Sequence, residues 1–481
     1  MAHKTISLLD HVSLERVHAE SLRVLENVGV RVADPECIRI LQRAGAQVVG
    51  QSETVRLPAP MVREALEQVT KRFELVNARG ERFAMPAGRP RLISRVKMPK
   101  ILDYGAQAAR PPCRRDVINL CQITAALPQV EFSYAVDYPS VDAPAEIDVA
   151  DTVGLTYAIT GNPGVCAPVS QDAARVWIDI SAAATGSDDL ERDPGVLVAV
   201  CTTGPLQLEA ENGALLRHAV SRGVPIAAEP MPMAGASAPF TLAGALLMDN
   251  AEALFLFTLA NAIRPGATVS YSALGSIMNM RAANISMGSP ETMLLASAET
   301  AMARFYDMST YRPACYSDSY YPDVQAGIEK AAYTLMVVLS GADLVLMGGS
   351  LNNADLLTYE QVVIDHDVWE LVRRCTTEIE VNDETLAYET VAGVGPGGSF
   401  LDEAHTMRWL RSGEHYYAGS YNRSGEAGQE NTMLARARRR VEEILSRPLE
   451  FRAPAPAVER IRQYVRDEAK TLGVAAPEWT F

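Results

Sequence analysis

From about residue 115 onward, short apolar runs alternate with longer segments in which apolar residues recur at helical spacing. The runs are rich in β-branched residues and begin about 30 to 45 residues apart, a spacing typical of βα units in a parallel sheet. Seven of these runs predict strands: Val130–Val136, Gly164–Val169, Val196–Cys201, Val224–Glu229, Thr268–Ser272, Pro313–Tyr316 and Asp343–Met347.

An eighth strand is expected either at Arg91–Val96 or near Tyr388–Val391. Seven or eight βα units in one domain favour the α/β class, as a (β/α)8 TIM barrel, over a doubly wound sheet. No G-x-G-x-x-G or Walker A sequence follows the seven runs, so a nucleotide-binding fold lacks its usual support. The glycine-rich Val391–Ser399 lacks the lysine of a phosphate-binding loop and is interpreted as a structural turn.

The expected helix ends are marked by residues that commonly cap helices. Asp116 is expected to cap a helix over Val117–Leu127, and Ser170 and Ser289 are expected to begin two further helices. Gly341 is expected to end a helix, because glycine adopts the left-handed conformation that closes many helices.

Residues 1–100 lack the alternating pattern and predict a small α+β cap, with a hairpin at Phe73–Phe83. We expect residues 101–481 to form the TIM-barrel domain together with a C-terminal helical extension. The apolar regions Phe240–Ile263 and Ala331–Met347 are interrupted by acidic residues or glycine, so we interpret them as buried elements rather than membrane spans.

The chain has 481 residues, a net charge of −15 and a pI of about 5.1, which disfavours nucleic acid as a partner. Its seven cysteines form no C-x-x-C pair, and its seven histidines form no H-x-x-x-H pair, so no metal site is predicted. The N-terminus has no signal-peptide pattern. We therefore expect a cytoplasmic protein that acts without a membrane, and a homo-oligomer stays open.

Polar and aromatic residues end or directly follow several predicted strands, and barrel active sites lie at these strand ends. Any one of these groups also fits an ordinary loop, but their recurrence favours a site. They are Asp137-Tyr138, Glu229, Tyr271-Ser272 and Tyr316–Asp318.

The segment 312–330 combines tyrosines with carboxylates just before a predicted helix. Tyrosine faces and a carboxylate together can hold a cation that has no N–H to donate. Tyr316, Tyr320, Tyr321 and Asp318 are the candidates for such a pocket.

With these motifs in view, the chain resembles the trimethylamine methyltransferase (MttB) superfamily nearly from end to end. The resemblance is carried by ESLRVLENVGVRV near the N-terminus, by Pro232–Leu254 (PMAGASAPFTLAGALLMDNAEAL), by SDSYYPDVQAGIEK, and by Gly395–Thr406 (GPGGSFLDEAHT). Several long motifs in the same order make the resemblance specific.

The resemblance implies a (β/α)8 barrel that moves a methyl group from a methylated amine to a corrinoid (cobalamin) carried by a separate small protein. No tightly bound cofactor is then expected in this chain. The trimethylamine enzymes carry pyrrolysine near the position where this chain has Cys315-Tyr316. The chain therefore resembles the non-pyrrolysine branch, some members of which demethylate glycine betaine.

A quaternary ammonium substrate is consistent with the absence of pyrrolysine. Loss of its methyl group leaves a neutral amine, so the transfer needs no special electrophile. The expected catalytic residues are Asp318, Glu229 and Tyr316. The expected substrate-binding residues are Tyr320, Tyr321, Arg312, Tyr271 and His405, with Arg312 or His405 as donors to a betaine carboxylate.

Two other functions stay open from the sequence. One is a barrel that binds betaine or another quaternary amine without catalysis. The other is a barrel lyase or hydrolase that uses paired carboxylates such as Glu229 and Asp318.

Overall fold

A computed structural model describes residues 5–314, 316–417 and 419–479, and its centre is an eight-stranded parallel sheet. The two edge strands meet, because Tyr271 N donates to Ser309 O at 3.0 Å and Tyr311 N donates to Ser272 Oγ at 3.3 Å. The sheet is therefore closed, and the predicted (β/α)8 TIM barrel is confirmed. The strands are β1 (Arg91–Arg95), β2 (Val130–Ala135), β3 (Gly164–Cys166), β4 (Val196–Val200), β5 (Ile226–Ala228), β6 (Val269–Tyr271), β7 (Tyr311–Pro313) and β8 (Leu344–Met347).

One long helix follows each strand and packs on the outside of the barrel. These helices run antiparallel to the strands, so each begins at the end of the barrel where the strands finish. They are α1 (Arg114–Ala126), α2 (Ala145–Thr160), α3 (Gln171–Thr185), α4 (Ala210–Ser221), α5 (Leu242–Ile263), α6 (Pro290–Phe305), α7 (Val324–Ser340) and α8 (Tyr359–Cys375).

Of the two positions expected for the eighth strand, the first is confirmed, because Arg91–Arg95 forms the first strand of the barrel. The alternative near Tyr388–Val391 is wrong, because Tyr388–Val394 is helical. The predicted start of β7 at Pro313 is also wrong. The strand begins at Tyr311 and includes Arg312, whose charge is paired with Glu299 inside the protein at 2.6 Å. A paired arginine fits a buried strand, although its charge alone suggested a loop.

Three of the four predicted helix ends are confirmed. Ser170 and Ser289 accept hydrogen bonds from the first turns of α3 and α6, and Gly341 ends α7 at φ 93°. The prediction for Asp116 is wrong, since α1 begins at Arg114 and Asp116 is its third residue. There its carboxylate accepts from Cys113 N at 2.7 Å, as the third residue of a capping box does.

Helix α5 is apolar on all sides because it is buried on nearly all sides. Among the described residues, α5 is the single helix that is both long enough and apolar enough to cross a membrane. In its most apolar window, 78% of the residues are buried inside the protein. It packs against α4, α6 and the N-terminal helices. The prediction of a buried element here is confirmed.

The N-terminal part covers one side and the base of the barrel. Its helices are His11–Asn27, Pro35–Arg43 and Ala59–Gln68, and a small sheet is formed by Val30–Val32, Gln47–Val48, Thr54–Arg56 and Gln207–Leu208. The hairpin Phe73–Val76 and Arg82–Met85 packs its apolar side chains into the barrel interior. The first barrel strand lies before residue 101, so the closed sheet does not follow the expected domain boundary.

The C-terminal part divides into an exposed segment and two docked helices. The short helices Asp383–Leu386, Tyr388–Val394 and Ala404–Ser412 contain no buried residue. Helix Met433–Leu445 packs on α8 and α1, and helix Ala455–Leu472 packs on α2 and α3. A 3-10 turn at Gln429–Asn431 precedes the first of these.

Candidate active site

Five buried polar or aromatic side chains gather inside the barrel near the carboxyl ends of the strands. Because side chains alternate along a strand, every second residue points into the barrel. Arg95 ends β1, Tyr134 lies on β2, Glu229 follows β5, Tyr311 begins β7 and Tyr316 follows β7, and all five are buried.

Glu229 is the carboxylate of this group and is 2% exposed. Its Oε1 accepts a hydrogen bond from the Tyr311 hydroxyl at 3.3 Å, while its Oε2 is buried and has no hydrogen-bond partner within the described part of the chain. Burial raises the pKa of Glu229 to about 7, against the opposing effects of the Tyr311 hydrogen bond and the positive charge of Arg95. A buried carboxylate oxygen without a partner, inside the barrel at the strand ends, marks a candidate binding site.

Arg95 supplies the positive charge and is 3% exposed. Its guanidinium lies 4.7 Å from the ring centroid of Tyr134 and 5.9 Å from that of Tyr316, within cation–π range. Its Nη2 also donates to the Tyr316 hydroxyl at 3.3 Å. The rings of Tyr134 and Tyr311 are stacked with centroids 6.0 Å apart, so the aromatic group connects Arg95 to Glu229.

The loops after β1 and β2 are held by a buried ion pair between Lys97 and Asp148. Lys97 Nζ lies 2.8 Å from Asp148 Oδ2 and 3.0 Å from Thr152 Oγ1, and both charged side chains are almost fully buried. Asp148 Oδ2 also accepts from Ser140 N at 2.9 Å. This pair fixes the backbone two residues beyond Arg95.

Asp318 joins two loops at the open end of the barrel. Its Oδ1 accepts from Gly288 N at 2.7 Å, and its Oδ2 accepts from the Ser286 hydroxyl. The carboxylate therefore binds the loop after β6 to the loop after β7, and both of its oxygens are already bonded.

Tyr320 and Tyr321 contact the loop after β1. The Tyr320 hydroxyl accepts from Ala109 N at 3.1 Å, and the Tyr321 hydroxyl donates to Gln107 O at 3.2 Å. Their rings meet edge to face with centroids 5.0 Å apart. The structure thus places both at the mouth of the barrel, above the buried group that contains Tyr316.

Arg312 and Tyr271 lie on the outer faces of β7 and β6, toward the helices. Arg312 and Glu299 are both 0% exposed, and Tyr271 donates to Asn250 Oδ1 at 3.3 Å. Asp249 lies beside Glu299, and burial together with the negative charge of Glu299 raises the pKa of Asp249 well above its usual range. These side chains face away from the barrel interior, so we leave Arg312 and Tyr271 out of the site.

His405 lies on the helix Ala404–Ser412 and lines a surface cavity with Arg373, Arg374 and Trp409. Those arginines belong to the last turn of α8, which runs antiparallel to the strands. His405 is therefore near the opposite end of the barrel from the mouth, and we leave it out of the site as well. Cys315, expected near the pyrrolysine position, lies outside the described residues.

Arg95 and Tyr134 are site residues that the sequence reasoning missed. The expected site residues lie at or just after the strand ends, whereas Tyr134 lies within β2 and Arg95 is the last residue of β1. The available signal was an arginine within the apolar stretch RLISRV and a tyrosine within VEFSYAV, since a charged or phenolic side chain inside a barrel strand needs a buried partner.

Large apolar side chains are exposed on the loops around the mouth. They belong to the loops after β2, β3, β5 and β6 and to the first turns of α7, and we call them the mouth rim: Val141, Val169, Met231, Phe240, Met280, Val324 and Ile328. Phe240 is 71% exposed and Met280 64% exposed. An exposed apolar rim around an active-site mouth suits contact with another protein.

A closed (β/α)8 barrel with a buried charged and aromatic group at its strand ends is the arrangement of a barrel enzyme. The chain belongs to the trimethylamine methyltransferase (MTTB) family, whose family model matches residues 2–473. Its relatives are named methyltransferases, and the chain is an enzyme of that class.

Several named relatives match over most of the chain. The trimethylamine methyltransferase MttB of Desulfitobacterium hafniense is 26% identical over 96% of this chain and 94% of its own length. The MttB of Methanosarcina barkeri is 29% identical over 82% of this chain and 81% of its own. A glycine betaine methyltransferase of D. hafniense is 26% identical over 84% of each chain. The crystal structure of the M. barkeri monomethylamine methyltransferase is similar with a TM-score of 0.49 and 14% identity, covering 96% of this chain and 93% of its own.

Proposed function

We propose that this protein moves a methyl group from a quaternary amine, such as glycine betaine, to the Co(I) corrinoid of a small partner protein. The observation that carries the proposal is the buried Glu229 carboxylate, which lies among tyrosines inside the barrel and whose Oε2 has no hydrogen-bond partner among the described residues. The named relatives include enzymes for trimethylamine and for glycine betaine. The burial of Glu229 and of the tyrosines beside it supports a cation bound inside the barrel rather than at the surface.

Methyl transfer from a quaternary amine needs little catalytic assistance from the protein. The methyl carbon forms a bond to the acceptor, and the electron pair of the broken carbon–nitrogen bond stays on nitrogen, which leaves as a neutral tertiary amine. No proton is transferred in this step, so no general acid is needed. The protein contributes by orienting the methyl group and excluding water.

Glu229 and Tyr316 are the residues that we assign to contact with the substrate, together with Tyr134 and Tyr311. The Glu229 carboxylate offsets the positive charge of the amine, and the ring faces add cation–π contacts worth roughly 0.5–2 kcal/mol each. Asp318 acts as a positioning residue, because its carboxylate joins the loops after β6 and β7. Tyr320 and Tyr321 close the mouth above the substrate.

The corrinoid supplies a cobalt nucleophile when its carrier protein is docked. We assign no residue of this chain to holding it tightly, and we propose that the carrier contacts the mouth rim. The apolar side chains of the rim, such as Phe240 and Met280, lie on the loops through which the buried site opens. We also propose that the protein is cytoplasmic and that no nucleic acid takes part.

The proposal is tested by mixing the protein with a Co(I) corrinoid, free or on its carrier, and following the corrinoid spectrum as methylated amines are added. The expected result is a spectral change with glycine betaine or another quaternary amine, and a change about tenfold to a hundredfold slower with Glu229→Gln. The absence of any change with every quaternary amine, with an active carrier, overturns it.

The two other functions make different predictions. A barrel that only binds would show a binding heat with betaine and no spectral change. A lyase using Glu229 and Asp318 would work without corrinoid, but both Asp318 oxygens already accept hydrogen bonds from Ser286 and Gly288. That arrangement disfavours Asp318 as a general acid or base.

A further inference from the structure

The chain between the end of α8 and Glu414 has no core of its own, and we call residues 376–413 the arm. It leaves α8 at the base of the barrel, and none of its residues is buried. Its three short helices are only four, seven and nine residues long. Isolated helices of this length are marginal in water, because most helical stability in proteins comes from tertiary packing. The described part of this chain does not supply that packing.

The arm exposes an unusual amount of apolar surface. Ile379 is 86% exposed and Leu401 is 79% exposed. Seven more large apolar side chains of the arm are at least 45% exposed: Val381, Leu386, Tyr388, Val391, Phe400, Met407 and Leu410. Together they present on the order of 1,000 Å², whereas the largest apolar patch of a typical monomer is about 300–600 Å². A stable interface buries roughly 800 Å² of each partner, so the arm is large enough to form one.

The arm is also loosely packed against its own barrel. A cavity of about 660 Å³ lies between the arm and the last turn of α8, where Arg373 lines it. Two ring nitrogens of the arm, His405 Nε2 and Trp409 Nε1, are shielded from water and have no hydrogen-bond partner among the described residues. Shielded polar atoms without partners are rare in a finished interface. The contacts of the arm are therefore incomplete within one copy of the chain.

Charge restricts what can cover the arm. Residues 376–403 contain seven carboxylates and no lysine or arginine. Among these carboxylates, Glu380, Asp383, Glu384 and Glu389 are exposed. A surface that covers this part of the arm has to combine apolar contacts with positive charge.

The same chain carries a groove of that kind, which we call the basic groove. It is a cavity of about 470 Å³, and it lies at the base of the barrel because Pro128, just before β2, lines it together with Val363. Three arginines of the helix Met433–Leu445 also line it: Arg436, Arg439 and Arg440. The carboxylates beside them are Asp367, which accepts from Ser420 N at 3.2 Å, and Glu443, which is paired with Arg440 at 3.2 Å. The groove therefore combines an apolar surface with an excess of positive charge.

We propose that a second copy of this chain covers the arm, with the arm of each copy packed on the basic groove of the other in a two-fold symmetric dimer. Each copy supplies one arm and one groove, so the interface is self-complementary. The charge that the arm requires lies on its own chain, which favours a second copy over an unrelated partner. The dimer interface lies at the base of the barrel and leaves the mouth rim free. This inference goes beyond the proposed function and does not depend on it.

The mass of the protein in solution tests the dimer. Size-exclusion chromatography with light scattering on the purified full chain is expected to give about twice the 52.1 kDa of one chain. Ile379→Asp combined with Leu401→Asp is expected to give a monomer that still unfolds cooperatively on heating. Val12→Asp changes a 70% exposed apolar residue of the N-terminal helix and is the matched control, which should stay dimeric. A monomeric wild type, or an arm variant that stays dimeric, overturns the inference.

A charge exchange tests the pairing of arm with groove. Glu384→Arg with Glu389→Arg reverses charge on the arm, and Arg439→Glu with Arg440→Glu reverses it in the groove. Each double variant alone brings like charges together and is expected to be monomeric. Mixing the two is expected to restore a dimer, because both contacts of the mixed pair again join opposite charges. If both variants fold and the mixture stays monomeric, the pairing is wrong.

The corrinoid carrier is the other possible occupant of the arm, and methyl-transfer assays separate the two. The dimer is measured without carrier or substrate, so a failed transfer reaction leaves it standing. If the arm variant keeps the wild-type mass and transfers to carrier-bound corrinoid at least tenfold more slowly, the arm binds the carrier and the dimer inference fails.

Discussion

The Tyr311 hydroxyl donates to Oε1 of Glu229 at 3.3 Å, and the second oxygen of that carboxylate has no partner within the described residues. One bond orients the carboxylate, and the other oxygen stays available to a ligand. Replacing Glu229 by Gln removes the negative charge while keeping nearly the same shape. The loss of a charge-paired contact is expected to lower kcat/KM for a quaternary amine about tenfold to a hundredfold. A steady-state assay with the carrier protein measures this, and unchanged kcat/KM would exclude Glu229 from the site.

The stability of the protein is expected to depend on pH through Glu229. Its folded-state pKa is raised from 4.5 to about 7 by burial. Between these values the unfolded chain loses the proton and the folded protein keeps it, so the unfolding free energy falls as the pH rises through this window. The total loss is about 3 kcal/mol. Glu229→Gln has no such proton, so its unfolding free energy lacks this dependence on pH. Urea unfolding should therefore show that the stability of the variant relative to the wild type is higher at about pH 8 than at about pH 5. An equal difference at both values contradicts the assignment.

Tyr311 should control the pH at which the site becomes active. Its hydroxyl stabilises the charged form of Glu229, so Tyr311→Phe is expected to raise the pKa of that carboxyl further. Substrate binding needs the ionised carboxylate, so kcat/KM should rise with pH as Glu229 ionises. In Tyr311→Phe this rise in kcat/KM should occur at higher pH than in the wild type. Tyr157→Phe is the control, since Tyr157 donates to Gly195 O at 2.8 Å elsewhere in the core and should change stability alone. A shift of equal size in both variants would refute the direct role of Tyr311.

The buried pair of Arg312 and Glu299 is expected to stabilise the fold rather than bind substrate. Both side chains are 0% exposed, and Gly275 N also donates to Glu299 at 2.8 Å. Arg312→Leu leaves a buried carboxylate without its partner and is expected to cost about 3–5 kcal/mol, whereas the double variant with Glu299→Leu should recover much of this. Chemical denaturation measures both. A variant at Arg312 that keeps its stability and loses betaine affinity would return this residue to the site.

The sequence predicted the barrel well because its strand pattern and helix caps are local signals. Apolar runs at βα spacing, and caps such as Ser170 and Ser289, need only neighbouring residues to be recognised. The site depends on the direction of each side chain, which changes with every residue along a strand. Tyr311 therefore faces the interior and Arg312 faces the helices, although both lie in the same three-residue strand. Glu229 was found because it follows a strand, and Arg95 was missed because it ends one.

The mouth rim is expected to matter only when the corrinoid is carried by a protein. Phe240 and Met280 are exposed on the loops after β5 and β6, and a partner that docks over the mouth would bury them. Phe240→Asp combined with Met280→Glu should reduce methyl transfer to the carrier-bound corrinoid at least tenfold, mainly by raising the KM for the carrier. Transfer to free corrinoid and betaine binding should stay unchanged, because neither residue touches the buried site group. Val12→Asp, at a 70% exposed position on the N-terminal helix, is the control that adds charge away from the rim. If the rim variant transfers to the carrier at the wild-type rate, the partner docks elsewhere.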